Sequence, residues 1–254
     1  MMVTKHWSFE VWPAANFWNI YSGLMGNFSI GEDTFEMPLH FVMSSPYFDK
    51  KTQPEKVLCI GQFIIALING HANLSRKNKY GSNVARLGHL FLNGNKVMED
   101  YDCAIDPLEI DSVLEELDEL QMNSFGEFFD FAFKPGLVRN VLLHSNNGWT
   151  LANMYKIRDE IKFFIKEKGE IFDDYIDKKE DKAFGATTNN FAVSGLQARH
   201  GQGNGSFPKK NLTIDECTEF IRKLFNKVLE NHFDLKLIYP QDLEDDEDLD
   251  SIFE

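Results

Sequence analysis

The sequence predicts a mainly α-helical fold with a small N-terminal β portion, an α+β arrangement that ends in a C-terminal helical bundle. Period-two alternation of large apolar side chains is confined to roughly the first fifty residues. From Pro54 onward, apolar residues recur mostly at helical spacing, with proline and glycine punctuating the runs. Near the C-terminus, Thr213 and Glu216 form a T-x-x-E capping box, in which each side chain can satisfy an orphan backbone N–H at the other end of the turn.

In chain order, Trp7, Phe9 and Val11 alternate and predict a strand that Pro13 breaks. Residues 14–21 fit a short helix or a second strand. Phe28 and Ile30, then Gly31-Glu32-Asp33, then Phe35, Met37, Leu39 and Phe41 predict a β-hairpin turning at residues 31–33. Pro38 puts its second arm at a sheet edge. Trp7, Trp12 and Trp18 fit either core packing or a surface on which bases stack. Pro54 opens a helix, apolar almost all round, that is expected to end at Asn69-Gly70.

Residues 82–93 carry Val84, Leu87, Leu90 and Phe91 and predict a helix closed by Asn93-Gly94, with Arg86 and His89 three positions apart on it. Residues 96–105 fit a short strand or an extended linker. Asp106-Pro107 with Glu109 starts an acidic helix to about Leu120, and the aromatic run FGEFFDFAF ends at Pro135-Gly136. Leu137–His144 is followed by a turn, and Trp149-Thr150 opens a long helix stopped by Gly169. The charged residues 173–182 fit a loop or an exposed helix end. The last helix carries Phe220, Ile221, Leu224, Phe225, Val228 and Leu229 on one stripe, with Arg222, Lys223 and Lys227 off it. The expected organisation is a mixed region over 1–105, a helical domain over 106–240 and a disordered acidic tail over 241–254.

Composition narrows the function classes. Hydrophobic residues make up 43% of the chain and phenylalanine alone numbers 23, which excludes a mainly disordered polymer. No uninterrupted apolar run approaches membrane-spanning length and no secretory leader pattern opens the chain, so the expectation is a cytoplasmic protein with no membrane partner. Cys59, Cys103 and Cys217 form no metal-binding spacing with the 7 histidines, and no metal or cofactor is expected. The net charge is −14, and the tail QDLEDDEDLDSIFE supplies −8 of it. Such a chain receives no long-range attraction to nucleic acid, so RNA binding would need a local basic patch or a basic companion.

The densest cluster of uncommon polar residues runs from Thr187 to the last helix. It contains Asn189, Asn190, Arg199, His200 and Gly201, and glycines recur through residue 205. Such a loop ahead of a helix N-terminus can bring backbone N–H groups to a phosphate or nucleotide, or it can be a surface loop in which Arg199 and His200 hold backbone carbonyls.

A second pair, Arg139 and His144, lies in R-N-x-x-x-H. This pattern resembles the R-x(4–6)-H motif of HEPN-family ribonucleases, with Asn140 as the polar residue after the arginine. The resemblance implies metal-independent RNA cleavage, in which a histidine moves the 2′-OH proton and an arginine clamps the phosphate. The segment N-N-x-x-x-S-G-L-x-A-R-H-G over 189–201, with W-x-x-x-x-M-Y-K-I over 149–157, is similar to uncharacterised bacterial proteins of this size. It is distantly like HEPN and abortive-infection domains. Together the resemblances cover about Val138 to Leu229. In this chain Arg199 and His200 are adjacent rather than four to six residues apart.

Two functional expectations follow. The first is a HEPN-like protein of bacterial stress or phage defence that binds or cleaves RNA. Its candidate catalytic residues are Arg139, His144, Arg199 and His200, and its candidate substrate-binding residues are Asn140, Asn189, Asn190 and Gly201. The second is a non-catalytic acidic interaction subunit that binds a basic protein partner. A homodimer is compatible with either. No G-x-S-x-G, P-loop, H-E-x-x-H or EF-hand pattern is present.

Overall fold

The computed structural model describes residues 6–12, 29–33, 40–75, 85–98, 107–114, 124–190 and 211–237. The fold is mainly helical with one small antiparallel sheet, as the sequence predicts. The chain divides into two compact units, residues 1–69 with 82–143, and residues 70–81 with 144–254. The boundary expected near residue 105 lies outside the described residues, as do residues 14–21 and the acidic tail.

In the first unit, β1 (Trp7–Trp12), β2 (Ser29–Asp33), β3 (His40–Ser44), β4 (Arg86–Leu92) and β5 (Asn95–Met98) form a sheet in the order β2-β3-β1-β4-β5. Trp7, Phe9 and Val11 point into the core, and the side chains between them are half-buried. Trp7 is therefore a core residue, and its indole N–H donates to the Lys51 carbonyl at 3.0 Å. Trp12 is exposed, and Trp18 is not among the described residues.

The expected β2–β3 hairpin exists, but Gly31 to Asp33 lie within β2. Asp33 pairs with His40, so the connection falls in residues 34–39. A short helix, α1 (Pro46–Asp49), is capped by Ser45. It precedes α2 (Pro54–Ser75), whose Phe63 stays inside the core. Phe9 meets Phe48 edge-on at 5.3 Å, and Phe133 stacks on Tyr47 at 5.0 Å.

Two helical expectations fail. The helix expected over 82–93 is replaced, among the described residues, by the strand Arg86–Leu92, because Asn93 (φ 51°) and Gly94 (φ 78°) both take the left-handed backbone of a tight hairpin turn joining β4 to β5. Arg86 and His89 still share the outer face of the strand, because a β-bulge in β4 between the partners of Phe9 and Val11 leaves Arg86 opposite the exposed Trp12 and His89 beside Glu10. Helix α2 runs on through Asn69-Gly70, because the Asn69 side chain pairs with both backbone groups of Ala85, at 2.8 and 3.1 Å. By length and composition α2 could cross a bilayer, which the count of uninterrupted apolar residues did not register. In this fold 89% of its apolar window is buried.

A 3-10 helix (Pro107–Ser112) stands where an acidic α-helix was expected to begin, and residues 115–123 are outside the description. Helices α3 (Ser124–Phe133) and α4 (Leu137–Asn146) follow, with Gly136 between them.

The second unit contains α5 (Leu151–Glu167), a 3-10 turn (Phe172–Asp174), α6 (Lys178–Asn189) and α7 (Ile214–Phe233). Thr150 caps α5 through the Asn153 N–H. Gly169 (φ 75°) ends it, with Gly169 N–H bonded to the Lys166 carbonyl and Glu170 N–H to the Ile165 carbonyl. Of the charged residues 173–182, the first five lead to the Asp177 cap and the rest form the first turn of α6. The capping box of α7 forms as the sequence predicts. Helix α7 packs on α5 and α6, where Phe184 stacks on Phe220 at 4.4 Å.

Candidate functional site

Arg139 is set by the junction between α3 and α4. The last carbonyls of α3 have no partner within their own helix. The Arg139 Nε donates to the Ala132 carbonyl at 3.1 Å, and its NH2 donates to the Phe133 carbonyl. NH1 donates to Asp111 at 2.7 Å, and the guanidinium lies 5.2 Å from the centre of the Phe63 ring. Arg139 is 3% exposed. It is a clamp that closes one helix and holds the 3-10 segment.

His144 follows five residues later, roughly 140° around the same helix. It is half-buried, and burial pushes its pKa below the ordinary histidine value, with Glu160 opposing and Lys156 reinforcing that shift. The imidazole is therefore mainly neutral at pH 7. Asn140, next to the clamp, donates its backbone N–H to the Gly136 carbonyl at 3.1 Å.

Asn189 closes α6 and Asn190 is its C-terminal cap. The Asn189 Oδ1 is buried and accepts no hydrogen bond among the described residues. Nearby, the Leu212 N–H donates to the Thr187 hydroxyl at 2.9 Å, tying the entry of α7 to the last turn of α6. Arg199, His200 and Gly201 lie outside the described residues. Of the expected site residues, Arg139, Asn140, His144, Asn189 and Asn190 are thus placed, and Arg139 is turned into the core.

Two other arginines are also internal. Arg158 forks onto Asp181 at 2.9 and 2.8 Å. Burial opposes its charge, but the bonds to Asp181 and Asp159 outweigh burial and raise its pKa. Arg222, expected off the apolar stripe, is 3% exposed. It donates to the Leu74 carbonyl at 2.5 Å and the Asn73 carbonyl at 3.3 Å, at the C-terminal end of α2.

A cleft of about 560 Å³ in the second unit was not anticipated; it is lined by residues 169–171, 174–175 and 231–232. Gly169 turns the chain out of α5, the 3-10 turn brings Tyr175 back, and the last turn of α7 supplies His232. The Tyr175 hydroxyl bonds Glu170 Oε2 and lies 2.8 Å from His232 Nε2, which is 3.3 Å from the same carboxylate oxygen. Phe164 meets the His232 ring edge-on at 5.2 Å.

Burial and the Glu170 carboxylate raise the Tyr175 pKa, so the phenol stays neutral and serves as a hydrogen-bonding bridge, not as a phenolate. The sequence signal for this site was a histidine in the last turn of a helix facing an acidic, aromatic loop. Ending that helix at Leu229 leaves His232 out.

Among the described residues no group of three or more histidine, cysteine, aspartate or glutamate side chains is arranged to hold a metal. The sequence matches no family model, and comparisons with curated proteins and with solved structures find no match.

Proposed function

We propose that this chain is a non-catalytic acidic subunit that binds a basic protein partner. The observation that carries this reading is the inward turn of the guanidinium groups. Among the described residues Arg139, Arg158 and Arg222 are buried in internal bonds, and Arg86 is the exposed arginine. Carboxylates such as Glu167, Glu170, Asp173, Asp174 and Asp177 face solvent instead. Lysines such as Lys166, Lys168, Lys178 and Lys223 are exposed as well, and it is the acidic excess in the net charge of −14 that attracts cationic surfaces and repels phosphate backbones.

A second reading is HEPN-like, metal-independent RNA cleavage in bacterial stress or phage defence. His144 favours it, because a half-buried, mainly neutral imidazole can act as a general base. In that reading His144 acts with Arg199, His200 and Asn189, while Arg139 positions the helix.

Incubation of purified wild type, His144→Ala and His200→Ala with a mixed RNA pool containing tRNA, in chelator, separates the two. The binding subunit leaves RNA intact in all three. Cleavage by wild type that disappears in a variant with unchanged circular dichroism overturns it in favour of the ribonuclease.

A further inference from the structure

We propose that Asn147-Gly148 is a site of spontaneous covalent modification, at which Asn147 deamidates and the isoaspartate product releases the start of α5. The reaction needs an asparagine amide free to turn and an unshielded backbone nitrogen after it, which glycine offers because it carries no Cβ. The Gly148 nitrogen gives up its proton to base and attacks the Asn147 side-chain carbonyl carbon. The bond from that carbon to the amide nitrogen breaks, and ammonia leaves with the proton returned. Water then opens the succinimide. Opening at the main-chain carbonyl gives isoaspartate and opening at the side-chain carbonyl gives aspartate, so water enters, ammonia leaves and a carboxylate replaces the amide in both products.

The fold separates this pair from its counterparts. Asn69 is buried, and its amide is bonded to both backbone groups of Ala85. Asn93 is exposed, but its Oδ1 accepts the His6 N–H at 2.8 Å and its own N–H donates to the His6 carbonyl at 2.8 Å. Asn147 is exposed, and its side-chain amide has no hydrogen-bond partner among the described residues. The Gly148 N–H meets the Ser145 carbonyl at 3.3 Å, beyond the usual range of such bonds, so little holds the nucleophile back. Asn204-Gly205 lies outside the described residues.

The same loop sets the start of α5. The Asn153 side-chain amide donates to the Asn147 carbonyl at 3.1 Å and to the Gly148 carbonyl at 2.8 Å. The Gly148 carbonyl also accepts the Thr150 N–H at 3.0 Å, and Thr150 caps the helix. Next to it, the Trp149 indole N–H donates to the Thr218 hydroxyl on α7 at 2.6 Å. Isoaspartate lengthens the main chain by one carbon at residue 147, ahead of Gly148 (φ 105°) and the cap, so these bonds lose their register together.

The test is peptide mass mapping of the full chain aged in mildly alkaline buffer, with fragmentation that separates isoaspartate from aspartate, in the native state and in urea. In the native chain Asn147 is expected to convert about tenfold faster than Asn69 or Asn93, the factor that releasing an amide from a hydrogen bond costs in rate. In urea the three rates are expected to converge. Aged wild type is expected to show a lowered thermal midpoint, and Asn147→Gln, whose longer side chain must close a larger ring, to keep its own. Equal native rates at the three asparagines, the same ranking in urea, or aged wild type and aged Asn147→Gln with the same midpoint would overturn the proposal.

Discussion

The Nε of Arg222 donates to the Leu74 carbonyl at 2.5 Å, and its NH2 reaches the Asn73 carbonyl at 3.3 Å. Residues 148 and 149 positions apart in sequence are joined this way inside one compact unit. The terminal carbonyls of a buried helix need donors, and a guanidinium supplies several from one side chain.

Removing that clamp strands buried carbonyls as well as opening space. Arg222→Ala is expected to cost about 2–4 kcal/mol, and Arg222→Lys to recover only part of it because an ammonium lacks the fork. Urea unfolding checks this. A midpoint unchanged in Arg222→Ala would show that the clamp contributes nothing.

Gly61, inside α2, reverses an ordinary rule. Replacing a mid-helix glycine by alanine normally stabilises by about 0.5–1 kcal/mol. Here an added Cβ would stand 2.6 Å from the Phe9 ring and 3.1 Å from Leu87. Phe9 is fully buried and has no room to retreat. Gly61→Ala is therefore expected to destabilise by about 1–3 kcal/mol, read as a lowered thermal midpoint. A raised midpoint would mean that the helix does not approach the sheet this closely.

Elements whose cause is local were legible in the sequence. The β1 alternation, the Thr150 start and Gly169 stop of α5, and the Thr213 capping box each depend on residues within a few positions of one another. Elements decided by distant contacts were not. Leu87, Leu90 and Phe91 satisfy helical spacing well enough to hide a strand, although Asn93-Gly94 is a hairpin signal in its own right. Asn69-Gly70 looks like a helix end until Ala85 is seen to occupy the asparagine side chain. Arg139 carried the right chemistry for a phosphate clamp, but α3 needed its donors. The Glu170–Tyr175–His232 cluster draws on two segments about sixty residues apart, which no local pattern reveals.

Buried histidines give stability a defined slope with pH. His71 is fully enclosed, and burial lowers its pKa from 6.5 to about 4. The unfolded chain therefore binds a proton more readily between those values, so stability falls as pH drops from 6.5 toward 4 and this contribution levels off below 4. The full span is roughly 3 kcal/mol. His144, also shifted downward by burial, acts in the same direction. Urea midpoints at pH 7 and pH 4.5 are expected to converge in a folded His71→Gln variant relative to wild type. Parallel pH dependence in the two proteins would remove His71 as the cause.

Cys217 is buried, and its thiol pKa is pushed up to about 12 by burial and by the Glu216 carboxylate. The thiolate is the reactive form, so iodoacetamide at pH 8 is expected to leave Cys217 unlabelled in the native chain and to label it after denaturation. Peptide mass mapping reads this directly. Native labelling at the rate of an exposed thiol would show that this face of α7 opens.

The most direct measurement of the proposed function is affinity capture of the full chain, with whatever proteins it holds, from cells that express it, at low and high salt. The expected result is a stoichiometric companion of basic sequence, retained at about 50 mM salt and released at about 500 mM as screening shortens the reach of the charges. A chain recovered alone at low salt, or a companion indifferent to salt, would contradict binding through its acidic surface.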